Sequence, residues 1–218
     1  TTTLNLAAGL AMLERKPIII DLDPQAHVSL AAGVRGVPGH ECSCAFFRHD
    51  TPLKTLMRSQ PSGIRVIPAH PDLSKIDAMM GATPGVAGKL RKGLEQGLAW
   101  GDEPILLDCA PSLGVLSLNA LLASDRVLVP VTPDFLAMQG LTRLDLALKV
   151  LEQQVHRRIE RRVVLTRFDE NKTQSRDALA TLSPEHRSVI EFARIQGLRI
   201  REIAQRMGRS ENAVKQLL

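Results

Sequence analysis

Three carboxylates stand where apolar runs must end. Asp21 and Asp23 close the stretch Ile18-Ile19-Ile20-Asp21-Leu22-Asp23-Pro24-Gln25, and Asp108 closes Ile105-Leu106-Leu107-Asp108. A short β-branched run reads as a strand buried on both faces of a parallel sheet, and Pro24 cannot continue its ladder. Ligands of open α/β sheets sit beyond the carboxyl ends of the strands. The acids are therefore placed for Mg2+ or water chemistry rather than for packing. Capping of a neighbouring helix explains any one of them, but three in the same context favour chemistry.

A second group of residues suits nucleic acid. Residues 178–218 carry seven Lys/Arg against four Asp/Glu, so +3 of the net charge of +5 lies there. Such a balance fits a polyanionic partner. Other signals are weaker. Cys42-Ser43-Cys44 lies near His40 and His49, but a C-x-C without a second Cys pair is a poor metal signature. Arg157, Arg158, Arg161 and Arg162, with His156, read first as a solvated helix end and second as a non-specific DNA contact. Met79-Met80 and Phe46-Phe47 read as packing residues.

The elements that must hold these groups follow from periodicity. Leu6, Leu10 and Leu13 predict the apolar stripe of an Ala-rich helix that ends near residues 14–16. Residues 26–60 are broken by Gly33, Gly36, Pro38 and Gly39 and read mainly as loop. Short strands are expected over 64–68, 105–108, 126–131 and 162–166, and a charged helix over 86–98. Leu141, Leu144, Leu148, Leu151 and Val155 predict one long helix. Strands alternating with helices imply an α/β fold with a doubly wound, mostly parallel sheet. After a polar linker at 169–177 the pattern is helical throughout. Ser183-Pro184-Glu185 predicts one helix start and Gly197 its end. Ile200, Ile203, Ala204 and Met207 stripe a second helix that Gly208 stops, and Ser210 caps a third carrying Ala213, Val214, Leu217 and Leu218.

Bulk composition excludes several classes. The chain has 218 residues, 44% hydrophobic and 23% charged, with 3% aromatic, no Tyr and one Trp. That is ordinary for a globular protein with an aliphatic core. Three cysteines, an odd number, suggest a reducing compartment and hence the cytoplasm. No apolar run approaches the ~20 residues that span a bilayer, so no membrane role is expected. The first residue is Thr, which suggests a fragment or a processed piece.

Four ordered motifs carry a resemblance. Thr1-Thr2-Thr3-Leu4-Asn5-Leu6-Ala7-Ala8, Ile20-Asp21-Leu22-Asp23-Pro24-Gln25-Ala26, Ile105 to Gly114 with Asn119-Ala120-Leu121, and Val163 to Asp169 are similar to those of the ParA/MinD-type deviant Walker partition ATPases. The resemblance spans roughly residues 1–177 and implies a P-loop NTPase fold that uses ATP and Mg2+. It implies that Asp23 positions the attacking water, that Asp21 supports Mg2+ and the switch loop, and that Asp108 holds Mg2+ through a water. It places Thr1 and Thr2 just after the phosphate loop, Pro111, Ser112 and Gly114 beside the γ-phosphate, and Thr166 and Arg167 at the base. The family's first strand and its Lys-bearing loop would lie before Thr1, and residues 1–218 hold neither loop lysine. Residues 1–218 alone are thus expected to bind ATP weakly and to hydrolyse it negligibly.

Residues 178–187 and 197–215 resemble region 4 of sigma-70 factors, a helix-turn-helix. The matching residues are Ala178-Leu179-Ala180-Thr181-Leu182-Ser183-Pro184-Glu185-His186-Arg187, then Gly197 through Gly208 to Lys215. The resemblance implies that Ser210, Glu211, Asn212, Lys215 and Gln216 lie on or cap the helix that faces base edges, and that Arg199, Arg206 and Arg209 face phosphates. The joint expectation is a ParA-like ATPase domain over 1–177 fused to a DNA-binding tail over 178–218, acting in plasmid or chromosome partitioning. Its expected partners are DNA, a second copy of the chain in the presence of ATP, and a partition-complex adaptor protein or RNA polymerase. A transcription-initiation module on an inactive α/β scaffold, or an incomplete chimeric reading frame, are the alternatives.

Overall fold

The β-branched run Ile18-Ile19-Ile20 forms the strand expected of it. In the computed structural model, which describes residues 2–80, 85–98, 102–169, 171–173, 176–177 and 199–211, all four residues of β1 (Ile18–Asp21) are buried. Successive side chains leave opposite faces of a strand. Ile18 and Ile20 accordingly enter one apolar cluster and Ile19 another. The strand lies between β3 (Arg65–Ile67) and β4 (Ile105–Asp108), parallel to both, with Ile19 opposite Val66 and Leu106. The two-residue β2 (Arg58–Ser59) pairs antiparallel with β3, giving the order β2-β3-β1-β4 with β4 at one end.

Helices cover both faces, as a parallel sheet without polar alternation requires. On one face, α3 (Ser43–His49), α4 (Ser74–Met80), α5 (Lys89–Gly97) and α6 (Val115–Ala123) contribute Phe47, Ile76, Leu90, Leu94 and Leu116 to the cluster around Ile18 and Ile20. On the other, α1 (Thr2–Met12) and α2 (His27–Ala31) bring Ala7 and Val28 against Ile19 and Val66.

The facing side of α1 differs from the expected stripe. Leu6 is 42% exposed and Leu13 71%, whereas Ala7 is fully buried with Leu4 and Ala11 packed beside it. Positions 4, 7 and 11 also share a helix face, and small alanines let the helix approach the sheet closely. Leu13 lies beyond the last helical residue, and Glu14 (φ 59°) and Lys16 (φ 47°) then turn the chain into β1.

These elements belong to a first compact unit, Thr1–Asp125; the second is Arg126–Leu218. The second holds a parallel βαβ unit made of β5 (Arg126–Val131), α7 (Phe135–Val155) and β6 (Glu160–Leu165). Asp134 caps α7, accepting the Ala137 N–H at 2.8 Å. Leu148, at the centre of the expected stripe, is fully buried. The mostly parallel α/β architecture is thus present as a four-stranded sheet in one unit and a two-stranded ladder in the other. In the tail, α8 (Ile200–Met207) buries Ile203 and Ala204 and ends at Gly208 with φ 60°. The expected start at Ser183-Pro184, the stop at Gly197 and the apolar positions from Ala213 onward lie outside the described residues. Among the described residues no helix is long and apolar enough to cross a membrane.

Candidate functional site

Parallel, in-register pairing makes Asp21 and Asp108 partners at the carboxyl ends of adjacent strands. Asp21 is fully buried. Its Oδ2 accepts both the amide (2.9 Å) and the hydroxyl (2.6 Å) of Ser29 on α2, and its Oδ1 accepts the Asp23 amide at 3.1 Å. Its main-chain oxygen accepts the Ser43 hydroxyl at 2.8 Å. Both serines reach the end of β3 as well: Ala69 N–H donates to Ser29 Oγ at 3.0 Å, and Ser43 N–H donates to Pro68 O at 2.8 Å. Burial pushes the Asp21 carboxyl above its ordinary value; the Ser29 and Asp23 donors oppose that, and the Asp108 charge adds to it. A buried carboxylate with this many donors is fixed in place.

Asp108 is held from another direction. Its Oδ1 accepts the Thr3 hydroxyl at 2.6 Å, tying the first turn of α1 to β4. Sequence reasoning singles out Thr1 and Thr2. Thr1 lies outside the described residues, Thr2 is half-buried in the first turn of α1, and Thr3 makes the contact. Thr3 precedes the buried Ala7 by four positions, so the face that packs on the sheet also selects the threonine.

Asp23 lies half-buried just past the strand. Its Oδ1 accepts the Gln25 amide at 2.9 Å, and the turn closes with the Ala26 N–H on Asp23 O at 2.9 Å. Ala26 adopts φ 52° to make that turn. Pro111 and Ser112 are exposed, and Gly114 is the extended N-cap of α6. Ser117 anchors their loop by donating its hydroxyl to Ser112 O at 2.5 Å. Below it, the buried Asn119 accepts the Leu90 amide and donates to Val115 O, both at 2.9 Å, joining α5 to α6.

The oxygen donors at these strand ends suit a hard cation such as Mg2+. The adjacent Cys109 reports the local field. Desolvation and then the charges of Asp108, Asp21 and Asp23 push its thiol up to about 12. A divalent cation would relieve that concentration of negative charge.

The remaining site residues divide between the described and the undescribed. Thr166 and Arg167 belong to the second unit. Thr166 directs both its amide (2.8 Å) and its hydroxyl (3.3 Å) to Val131 O, and exposed Arg167 has φ 54°. Arg199, Arg206, Arg209, Ser210 and Glu211 are all exposed, around and after α8. The Arg199 amide donates to Glu202 at 2.7 Å, closing the first turn of that helix. Asn212, Lys215 and Gln216 lie outside the described residues. In the arginine cluster beyond α7, Arg161 bonds Asp145 (2.7 Å) and Glu152 (2.9 Å), and Arg162 faces Glu160 at 3.8 Å, an acid that Arg126 at the start of β5 also meets (3.1 Å). Among the described residues no group of three or more His, Cys, Asp and Glu is arranged to hold a metal ion, the Cys42–Cys44 neighbourhood included.

Comparison with known proteins gives two family matches, an AAA domain over residues 1–161 and sigma-70 region 4 over residues 172–218. The chromosome partitioning protein ParA of Caulobacter vibrioides is 33% identical over 178 residues, covering 80% of this chain and 67% of that protein. A cobyrinic acid a,c-diamide synthase from Mycobacterium smegmatis, solved with an ATP analogue and magnesium, has a TM-score of 0.69 at 29% identity, covering 82% of this chain and 74% of its own. A plasmid partition protein from Borrelia burgdorferi shares the fold, with a TM-score of 0.71 at 22% identity over 84% of this chain and 80% of its own.

Proposed function

The chain belongs to the ParA partition-ATPase family, and on that premise we propose that residues 1–177 form a Mg2+-ATP site at the ends of β1 and β4 while residues 178–218 form a DNA-binding helix-turn-helix. The observation that carries the reading is the in-register pair Asp21 and Asp108, with Thr3 bonded to Asp108 at 2.6 Å. Bound Mg2+ would neutralise phosphate charge at the strand ends. Asp108, oriented by Thr3, would help to hold the ion, with Thr2 in the same first turn on the phosphate side. Asp21, locked by Ser29, fixes the segment that carries Asp23. Asp23 positions a water for attack on the terminal phosphate. Pro111, Ser112 and Gly114 border that phosphate; for Thr166 and Arg167, in the second unit, contact with the base rests on the family resemblance alone.

In the tail, Arg199, Arg206 and Arg209 bind phosphates, and Glu211, Asn212, Lys215 and Gln216 read base edges behind the Ser210 cap. The role of such a protein is to segregate plasmid or chromosomal DNA, pairing with a second copy of itself when ATP is bound. Residues 1–218 contain no loop lysine, so weak nucleotide binding with negligible turnover is expected from them. The signature of the site in these residues is Mg2+-dependent binding rather than a rate.

Two measurements test the proposal on the full chain. Weak binding of a fluorescent ATP analogue should require Mg2+ and fall in Asp108→Asn; binding indifferent to both overturns the nucleotide half. Salt-sensitive DNA binding should be lost when residues 199–218 are deleted; binding unchanged by the deletion overturns the other half.

A further inference from the structure

Ser43, which holds the main-chain oxygen of Asp21, stands between two buried cysteines. Cys42 is 0% exposed and Cys44 1%, and both are free thiols. Their sulfurs lie 3.0 Å apart, closer than ordinary non-bonded sulfurs. Both are aimed at one acceptor, the Gly39 carbonyl, at 3.1 and 2.9 Å. Only the single turn Gly39–Glu41, with exposed His40 at its centre, precedes them, and α3 begins at this point without a side-chain cap. Local opening of one such turn exposes what lies beneath it.

We propose that Cys42 and Cys44 form a reversible disulfide when the protein meets a peroxide, and that this bond displaces Ser43 from the end of β1. In the first step the Cys42 thiolate attacks one peroxide oxygen, the O–O bond breaks, and the departing hydroxide takes up the thiol proton as water. In the second, the Cys44 sulfur attacks the resulting Cys42 sulfenic acid, the S–O bond breaks, and the Cys44 proton leaves with that hydroxyl as a second water. Each sulfur gives up one electron and the peroxide accepts both.

The order of attack follows from the contacts. When the Cys44 thiol turns its single proton from the Gly39 carbonyl to the Cys42 sulfur, that bond holds the Cys42 thiol below its usual value and, with burial, pushes Cys44 up. The sulfur with the greater thiolate fraction is the nucleophile. A ring closed through one intervening residue is tight, so the bond is readily reduced by a dithiol, as a switch requires. Closing it pulls on Ser43, whose amide and hydroxyl link Pro68 to Asp21, each at 2.8 Å. The consequence for nucleotide handling rests on the function proposed for Asp21; the disulfide does not.

Peptide mass spectrometry on the full chain tests this. Trypsin cleavage after Arg35 and Arg48 releases residues 36–48, which contain Cys42 and Cys44 but not Cys109. After peroxide and then alkylation, this peptide should carry no alkyl group and be lighter by two hydrogen atoms than its reduced form. Dithiothreitol should reverse the change, Cys109→Ser should leave it intact, and Cys42→Ser or Cys44→Ser should abolish it. Oxidation should be faster in the native chain than in urea, because the fold holds the sulfurs together. A doubly alkylated peptide, oxygen added to one sulfur alone, a link only between two chains, or equal rates in urea would each overturn the proposal. Amide hydrogen exchange at Ser43 and Leu22 should rise on oxidation, and unchanged exchange overturns the coupling to β1. No nucleotide enters these measurements, so the disulfide and the ATPase reading can fail separately.

Discussion

Asp21 and Asp108 face each other across β1 and β4, yet each takes its hydrogen bonds from a different helix, Asp21 from Ser29 on α2 and Asp108 from Thr3 on α1. Both helices pack on the same side of the sheet. The two acids can therefore be loosened one at a time, which makes their supports separately measurable.

Thr3→Val keeps shape and removes the donor to Asp108. It should cost about 1–2 kcal/mol, near the low end for a hydrogen bond to a charged group because the contact is only half-buried. Urea unfolding measures it. In a double-mutant cycle with Asp108→Asn the two losses should not add, and strict additivity would show that the contact contributes nothing.

Ser29→Ala should cost more, about 2–3 kcal/mol, because it leaves both the Ala69 amide and Asp21 Oδ2 short of a buried partner. Ser43→Ala removes one neutral bond to Asp21 O and should cost about 1 kcal/mol. A reversed order in urea midpoints would contradict the network as drawn.

Gly93→Ala tests the packing beneath α5. A Cβ there would lie 2.5 Å from Cε2 and Cζ of Phe46. That ring is pinned edge-on to Phe47 at 5.1 Å and lies 5.7 Å from Lys89 Nζ. Helix propensity alone favours Ala by up to ~1 kcal/mol, but overpacking costs about 1–3 kcal/mol. The expected outcome is a lower thermal midpoint, partly restored by adding Phe46→Leu.

The second unit should lose stability in acid through one cluster. The Lys149 bond, then Arg161, holds the Asp145 carboxyl below its ordinary value; the Ile159 amide, then Arg161, does the same for Glu152. A carboxylate depressed by folding stabilises the native state above its unfolded pKa, and that contribution fades as pH falls through the folded one. The urea midpoint should therefore drop as pH falls below about 4. Arg161→Met should flatten that dependence, and an unchanged slope would exclude the cluster as its source.

What could be read from the residues follows from the length of the signals. β1 and β4 were legible because an apolar run ending in an acid means the same thing in any context. α7 was legible because its stripe recurs from Leu141 to Val155 within a helix of 21 residues. α2 and α3 were not: they have five and seven residues, and their N-caps, Ala26 and Cys42, make no side-chain capping bond. In α1 nearly every position is apolar or small, so the stripe through Leu6 competed with the one through Ala7, and close approach to the sheet decided it. The three carboxylates were visible, whereas Ser29, Ser43 and Thr3 acquire their meaning only when distant segments meet.

The apolar run of β4 has a cost of its own. In the fold its four residues are half-buried and bonded to β1. Ile105, Leu106 and Leu107 nevertheless reach Asp108 with no lysine or proline to interrupt them. Before β1 has paired with it, that run is a template that any extended segment can join. Self-association during refolding is then the first hazard in preparing the protein.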